Sequence, residues 1–100
     1  QINAEVHISE KILEYVLEIV GASRRHPYIR AGISTRGALA VTVSARTYAY
    51  FCSRDFVIPE DIRELAPYTL PHRLLLKEEY ESIDKKELVQ SILDTVKVPA

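Results

Sequence analysis

Gly32-Ile33-Ser34-Thr35-Arg36-Gly37-Ala38-Leu39-Ala40 reads as a loop, a helix cap and a first helical turn. Ser34 is the cap. Beyond it, Ala38, Val41, Ala45, Ala49 and Cys52 recur on a small-residue helical face, and Leu39, Val43 and Tyr50 on a larger one, so this helix is predicted to run to about Phe51. One arginine, Arg36, thus projects from a helix N-terminus.

On either side the pattern stays helical. Ser9 is an N-cap, Glu10 suits a first turn, and Ile12, Leu13, Val16, Ile19 and Val20 repeat at helical spacing until Gly21, which predicts a first helix over residues 10–20. Residues 22–33 contain His26-Pro27 and Gly32 and read as an arginine-rich loop. Pro59 fits the first position of a third helix, with Glu60 and Asp61 in its first turn and Ile62, Leu65 and Ala66 facing inward before Pro67. A connection through Leu70-Pro71-His72-Arg73 follows, in which Leu74-Leu75-Leu76 is compatible with an extended run, a short helical turn or a packed connection. Glu78-Glu79-Tyr80-Glu81-Ser82 reads as a solvated linker. Asp84 and Glu87 stand at capping-box spacing ahead of the stripe Leu88, Val89, Ile92, Leu93 and Val96. The expected fold is all-α: a single domain over residues 1–100, a small bundle of about four helices with short connections and no alternating strand of useful length.

Composition narrows the function classes. The 100 residues, 47% hydrophobic and 27% charged, suit one compact domain. The net charge of −1 conceals a split: residues 19–54 carry +6, in six arginines with no lysine and no carboxylate, between flanks of −3 and −4. A generic duplex-binding domain carries a net basic charge, so nucleic acid is disfavoured. The lone Cys52 excludes an internal disulfide framework and reads as a reduced, buried thiol in a cytoplasmic protein. No apolar run approaches the ~20 residues of a membrane span. His7, His26 and His72 lack metal-ligand spacing. With Gln1 at its start and no methionine, the chain reads as a piece of a longer protein.

Arg36 breaks a rule the other helices obey. Helices one, three and four place carboxylates near their N-termini, where these complement the helix dipole and the unpaired N–H groups. A cation there forgoes up to about 1 kcal/mol, and Gly37 in the same turn costs about as much in helix propensity. Both features suit an anion docked at the turn, which would meet the dipole, free N–H groups and a guanidinium together, with Gly37 leaving room for close approach. The competing reading is a surface arginine on a poorly optimised helix, or one paired with a carboxylate elsewhere.

Five pieces of the chain, in order, closely resemble the C-terminal helical lid of MoxR-type AAA+ ATPases. They are Ser23-Arg24-Arg25-His26-Pro27; the Gly32 to Ala40 stretch with Ala45-Arg46; Arg54-Asp55-Phe56-Val57-Ile58-Pro59-Glu60-Asp61-Ile62; Leu70-Pro71-His72-Arg73-Leu74; and the ending Ile92-Leu93 through Val96-Lys97-Val98-Pro99. The resemblance implies that Arg36 is the second sensor arginine, reaching the terminal phosphate of ATP on a preceding nucleotide-binding domain, and Ser34, Thr35 and Gly37 are expected to contact the nucleotide beside it. It also implies ATP and Mg2+ as cofactors of the intact protein, a homo-oligomeric ring, a hexamer, and chaperone-like remodelling of a client protein. Three positions depart from the family pattern: Thr35 stands for a proline, Ser53 for a glycine and Ile58 for a capping threonine.

The chain holds no Gly-x-x-x-x-Gly-Lys-Ser/Thr loop to cradle phosphates, so alone it is expected neither to hydrolyse ATP nor to carry a cofactor. Arg24, Arg25 and Arg30 read as an extension of the anion site, a subunit contact, or a solvated basic loop. Arg46, nearly three turns or ~15 Å beyond Arg36, cannot share one phosphate with it and suits a structural ion pair. His72 and Arg73 suit a buried polar pair bonding to helix ends. The alternative function is a non-enzymatic, histone-fold-like helical module binding nucleic acid or protein, because a longer helix followed by Arg54-Asp55-Phe56-Val57-Ile58-Pro59-Glu60-Asp61 has that arrangement too.

Overall fold

The computed structural model describes residues 6–99, and Gln1 to Glu5 and Ala100 lie outside the described residues. Helix α1 (Glu10–Arg25) starts where expected, with the Ser9 hydroxyl accepting from the Ile12 N–H at 3.3 Å. It does not stop at Gly21. A helical glycine costs only about 1 kcal/mol, and the turn beyond it buries Ser23 completely. The helix ends instead at His26, whose extended backbone is what a following proline enforces.

Helix α2 (Thr35–Phe51) is capped by Ser34, whose hydroxyl accepts from the Gly37 N–H at 3.3 Å. Its small face, Gly37, Val41, Ala45 and Ala49, is buried. The larger face is not: Leu39, Val43, Tyr50 and Phe51 are exposed. Helix α3 (Pro59–Thr69) runs past Pro67, which is buried in its last turns. Proline forfeits one donation there, but the ladder resumes with Leu70 N–H to Ala66 C=O at 2.9 Å. Helix α4 (Lys85–Thr95) is capped by Asp84, which accepts from Lys86 and Glu87, and buries Leu88, Val89, Ile92 and Leu93.

α2 packs chiefly on α3, α3 on α4, and α1 closes over the other side of the core. Ile33, Ile62, Leu70, Leu74 and Leu93 are fully buried at its centre, each such aliphatic chain contributing about 1.5–3 kcal/mol before chain entropy is set against it.

The sequence pattern shows no strand, yet β1 (Ile29–Ala31) pairs antiparallel with β2 (Leu75–Leu76), Ile29 opposite Leu76 and Ala31 opposite Leu75. Two strands this short have too few residues to show alternation, and only their meeting across the fold gives them partners. The pair is extended by Lys77 N–H to Tyr28 C=O at 3.0 Å and by the stacked rings of Tyr28 and Tyr80, 4.2 Å between centroids. Glu78–Tyr80 is a single 3-10 turn anchored by its tyrosine, with Glu78, Glu79, Glu81 and Ser82 exposed to solvent as the sequence predicts.

The α2–α3 connection is held by charge. Arg54 donates to both carboxylate oxygens of Asp61, at 2.8 and 2.6 Å, and Asp61 also accepts from the Ile58 N–H at 2.9 Å. Asp61 thus supplies the return half of a capping box, which is why an isoleucine without any acceptor can stand at the N-cap. The same contact holds the Arg54 guanidinium in its charged form more firmly than usual. At the far side, Arg63 donates to the Leu93 C=O and to Asp94, at 2.9 and 2.8 Å, and ties α3 to the end of α4.

Two further expectations are corrected. Cys52 is exposed, because it caps the C-terminus of α2 where the chain turns away from the core. His72 and Arg73 are exposed rather than buried, since the 3-10 turn Pro71–Arg73 carries them outward between two buried leucines, Leu70 and Leu74.

Candidate functional site

α2 is the only one of the four long helices among the described residues with no acidic residue in its first turn; the others have Glu10, Glu60 with Asp61, and Glu87. Ser34, Thr35 and Arg36 are exposed at that end. Among the described residues no hydrogen bond or ion pair holds the Arg36 side chain. Among the described residues no carboxylate partner makes it a structural arginine, and no acidic side chain in the first turn complements the macrodipole at this terminus.

The cap divides the work of the turn. Ser34 takes the Gly37 N–H through its hydroxyl and the Ala38 N–H through its carbonyl, at 3.3 and 3.0 Å. That leaves the N–H groups of Thr35 and Arg36, at the first two helical positions, with no acceptor among the described residues. Two orphan donors and one free guanidinium share one exposed helix end, which is chemistry for an oxyanion.

Gly37 has a different job from the one its position suggests. A Cβ there would lie 2.8 Å from Ile33 Cγ2 and 3.3 Å from Arg73 Cδ, so the glycine makes room for the fold's own side chains. The same contact brings Arg73, distant in sequence, against the first turn of α2. No hydrogen bond or ion pair engages the Arg73 side chain among the described residues. The sequence points Arg73 to helix ends without singling out this one, because its arrangement depends on the packing of the 3-10 turn.

The other arginines separate cleanly. Arg24 is tied back, its Nε donating to the Ile33 C=O at 3.2 Å. Arg25 folds over Gly21, where a Cβ would lie 3.0 Å from its Nη1. Arg30 is exposed on β1. Arg46 makes no ion pair among the described residues, and its Nε is buried without a partner. A hollow of about 700 Å3, lined by Val6, Tyr50, Phe51, Ser53, Arg54 and Asp55, sits at the other end of α2, some fourteen residues or about 20 Å from Arg36. No cluster of three or more metal-ligating side chains occurs among the described residues, and no described helix is long and apolar enough to cross a membrane.

Residues 21–92, from the last turns of α1 to α4, match the family described as the AAA lid domain. The chain belongs to that family. As a AAA lid domain it is 45% identical over 96 residues to YeaC, an uncharacterized protein of Bacillus subtilis, covering 94% of this chain and 30% of that one. It is 29% identical to the chaperone MoxR1 of Mycobacterium tuberculosis, over 99% of this chain and 29% of the relative. The protein MoxR of Methylorubrum extorquens is 32% identical over 71% of this chain and 22% of its own length. Among solved structures, a candidate ATPase from Cytophaga hutchinsonii superposes with a TM-score of 0.90 at 35% identity, over 98% of this lid and 33% of that chain. The lid spans about a third or less of each of these proteins. The MoxR-type resemblance read from the five motifs is thereby met, and the AAA lid takes the place of the histone-fold-like alternative.

Proposed function

We propose that this lid serves a MoxR-type AAA+ ATPase by presenting Arg36 to the terminal phosphate of ATP held on a nucleotide-binding domain that precedes it in the intact protein. One observation carries the reading: among the described residues, an exposed and unpaired arginine stands at the one long helix start without a first-turn carboxylate. The residues fit a phosphate. Arg36 would meet its oxygens, with Ser34 shaping the turn and the Thr35 and Arg36 N–H groups directed at the same end, while Gly37 keeps that turn packed on Ile33. Mg2+ is usually held by one or two carboxylates together with the phosphates, and residues 19–54 hold none, so this end of α2 offers the anion a cation of its own but no carboxylate for a metal. The exposed Leu39, Val43 and Tyr50, on the side of α2 that also carries Arg36, form the surface that domain would cover.

Arg36 works electrostatically, stabilising charge on the phosphoryl oxygens and coupling lid position to the nucleotide. In the intact protein, a cytoplasmic homo-oligomeric ring, a hexamer, converts that coupling into chaperone-like remodelling of partner proteins. The lid holds no phosphate-binding loop of its own, so ATP hydrolysis requires the nucleotide-binding domain. The test is Arg36→Ala in the intact protein, where losing one preorganised donor lowers turnover by on the order of 10² to 10³. Unchanged turnover together with unchanged ATP affinity removes the sensor role.

A further inference from the structure

Arg36 lies only three residues after Ile33, and Ile33 is gripped at both of its backbone polar groups by consecutive side chains of α1. Its N–H donates to the Ser23 hydroxyl at 3.0 Å, and its C=O accepts from Arg24 Nε at 3.2 Å. Ser23 is fully buried and donates its own O–H to the Val20 C=O at 2.7 Å, so its hydroxyl has one orientation available. The chains approach so closely that a Cβ at Gly32 would lie 2.8 Å from Ser23 Oγ and 2.9 Å from both Arg24 Cγ and the Arg24 backbone nitrogen. On its other side the buried Ile33 side chain fills the space beside Gly37. Ile33 is a peg fixed to the end of α1 at its backbone and to the first turn of α2 at its side chain.

We propose that Ser23 and Arg24 are positioning residues for Arg36, acting through Ile33; this rests on the reading of Arg36 as the phosphate-sensing arginine. Each residue of chain spans at most about 3.5 Å, and the first of those between Ile33 and Arg36 is the Ser34 cap itself, so there is no slack to absorb a shift of Ile33. The last turn of α1 therefore sets where the Arg36 guanidinium meets the phosphate. Arg24 belongs to this clamp and is distinct in role from Arg25 and Arg30, although all three lie in the same basic stretch. Small displacements of a charge-stabilising group reduce the rate steeply without weakening substrate binding by other groups.

The experiment measures ATP turnover of the intact protein carrying Arg24→Ala, Arg24→Lys or Ser23→Ala, each with and without Arg36→Ala. With Arg36 present, Arg24→Ala and Ser23→Ala are expected to lower kcat by about 10- to 100-fold, with KM for ATP within about twofold, and Arg24→Lys, which keeps a donor, recovers part of the loss. In the Arg36→Ala background the same changes cause no further loss, because residues that act through a missing group have nothing left to position. If Ser23→Ala, at a buried site, does not fold, the exposed Arg24 variants decide alone. A large effect of Arg36→Ala with no effect of Arg24→Ala, or with an equal loss in both backgrounds, overturns the positioning role and leaves the sensor reading standing. No effect of Arg36→Ala overturns both.

Discussion

Gly37 and Ile33 meet so closely that a Cβ on the glycine would lie 2.8 Å from Ile33 Cγ2. Ile33 is 1% exposed and held at both backbone polar groups, so it cannot swing aside. The contact explains a glycine in a first helical turn where propensity favours almost any other residue.

Gly37→Ala is accordingly expected to destabilise the domain despite the better helix former. Overpacking costs about 1–3 kcal/mol, and the propensity gain returns at most about 1. The net loss is about 1 kcal/mol at the middle of those ranges, read as a fall of several degrees in the thermal midpoint. A raised midpoint would show that Ile33 yields and that Gly37 is not a packing residue.

Ser53 is the one non-glycine residue at positive φ among the described residues, at 62°. An L side chain in that left-handed conformation costs about 1–2 kcal/mol, and a glycine gives back part of the relief through its freer unfolded chain. Ser53→Gly should stabilise the domain by about 0.5–1 kcal/mol, measurable by urea unfolding as a higher midpoint at unchanged slope. An unaltered midpoint would mean that the turn after Cys52 relaxes without cost.

The Asp94 carboxyl is held below its ordinary range, first by its hydrogen bond from Arg63 and then by Gln90. A depressed carboxylate contributes stability that is present above its unfolded pKa and is lost as pH falls through the folded value. Acidification from about pH 4 downward should therefore lower the thermal midpoint, and Arg63→Gln should flatten that part of the profile. Identical slopes for the two proteins would exclude the pair as a contributor; both groups are solvent-accessible, so the effect is small and weakens with salt.

Most helix starts were legible in the chain because caps and first-turn charges act within four residues: Ser9, Ser34 and Asp84 each accept from an N–H two or three residues on. The anomaly of Arg36 was legible for the same reason, since it is a mismatch between one side chain and its own helix dipole. Helix ends were less so. Gly21 and Pro67 are local breakers overridden by single buried residues, Ser23 beyond the first and Pro67 itself with Leu70 at the second, and no local signal reports what such a residue will be buried against.

By itself, the order of residues determined the helical class, the places where helices begin, the lid family and the arginine that stands out. Only the tertiary structure decided that β1 and β2 pair, that Cys52 and the larger face of α2 lie outside, that Gly37 makes room for Ile33, and that Ser23 and Arg24 hold Ile33 in place. Each of these joins segments distant in the chain, or depends on which side of a helix the core covers, and hydrogen-bond and packing partners of that kind exist only once the core has brought them together.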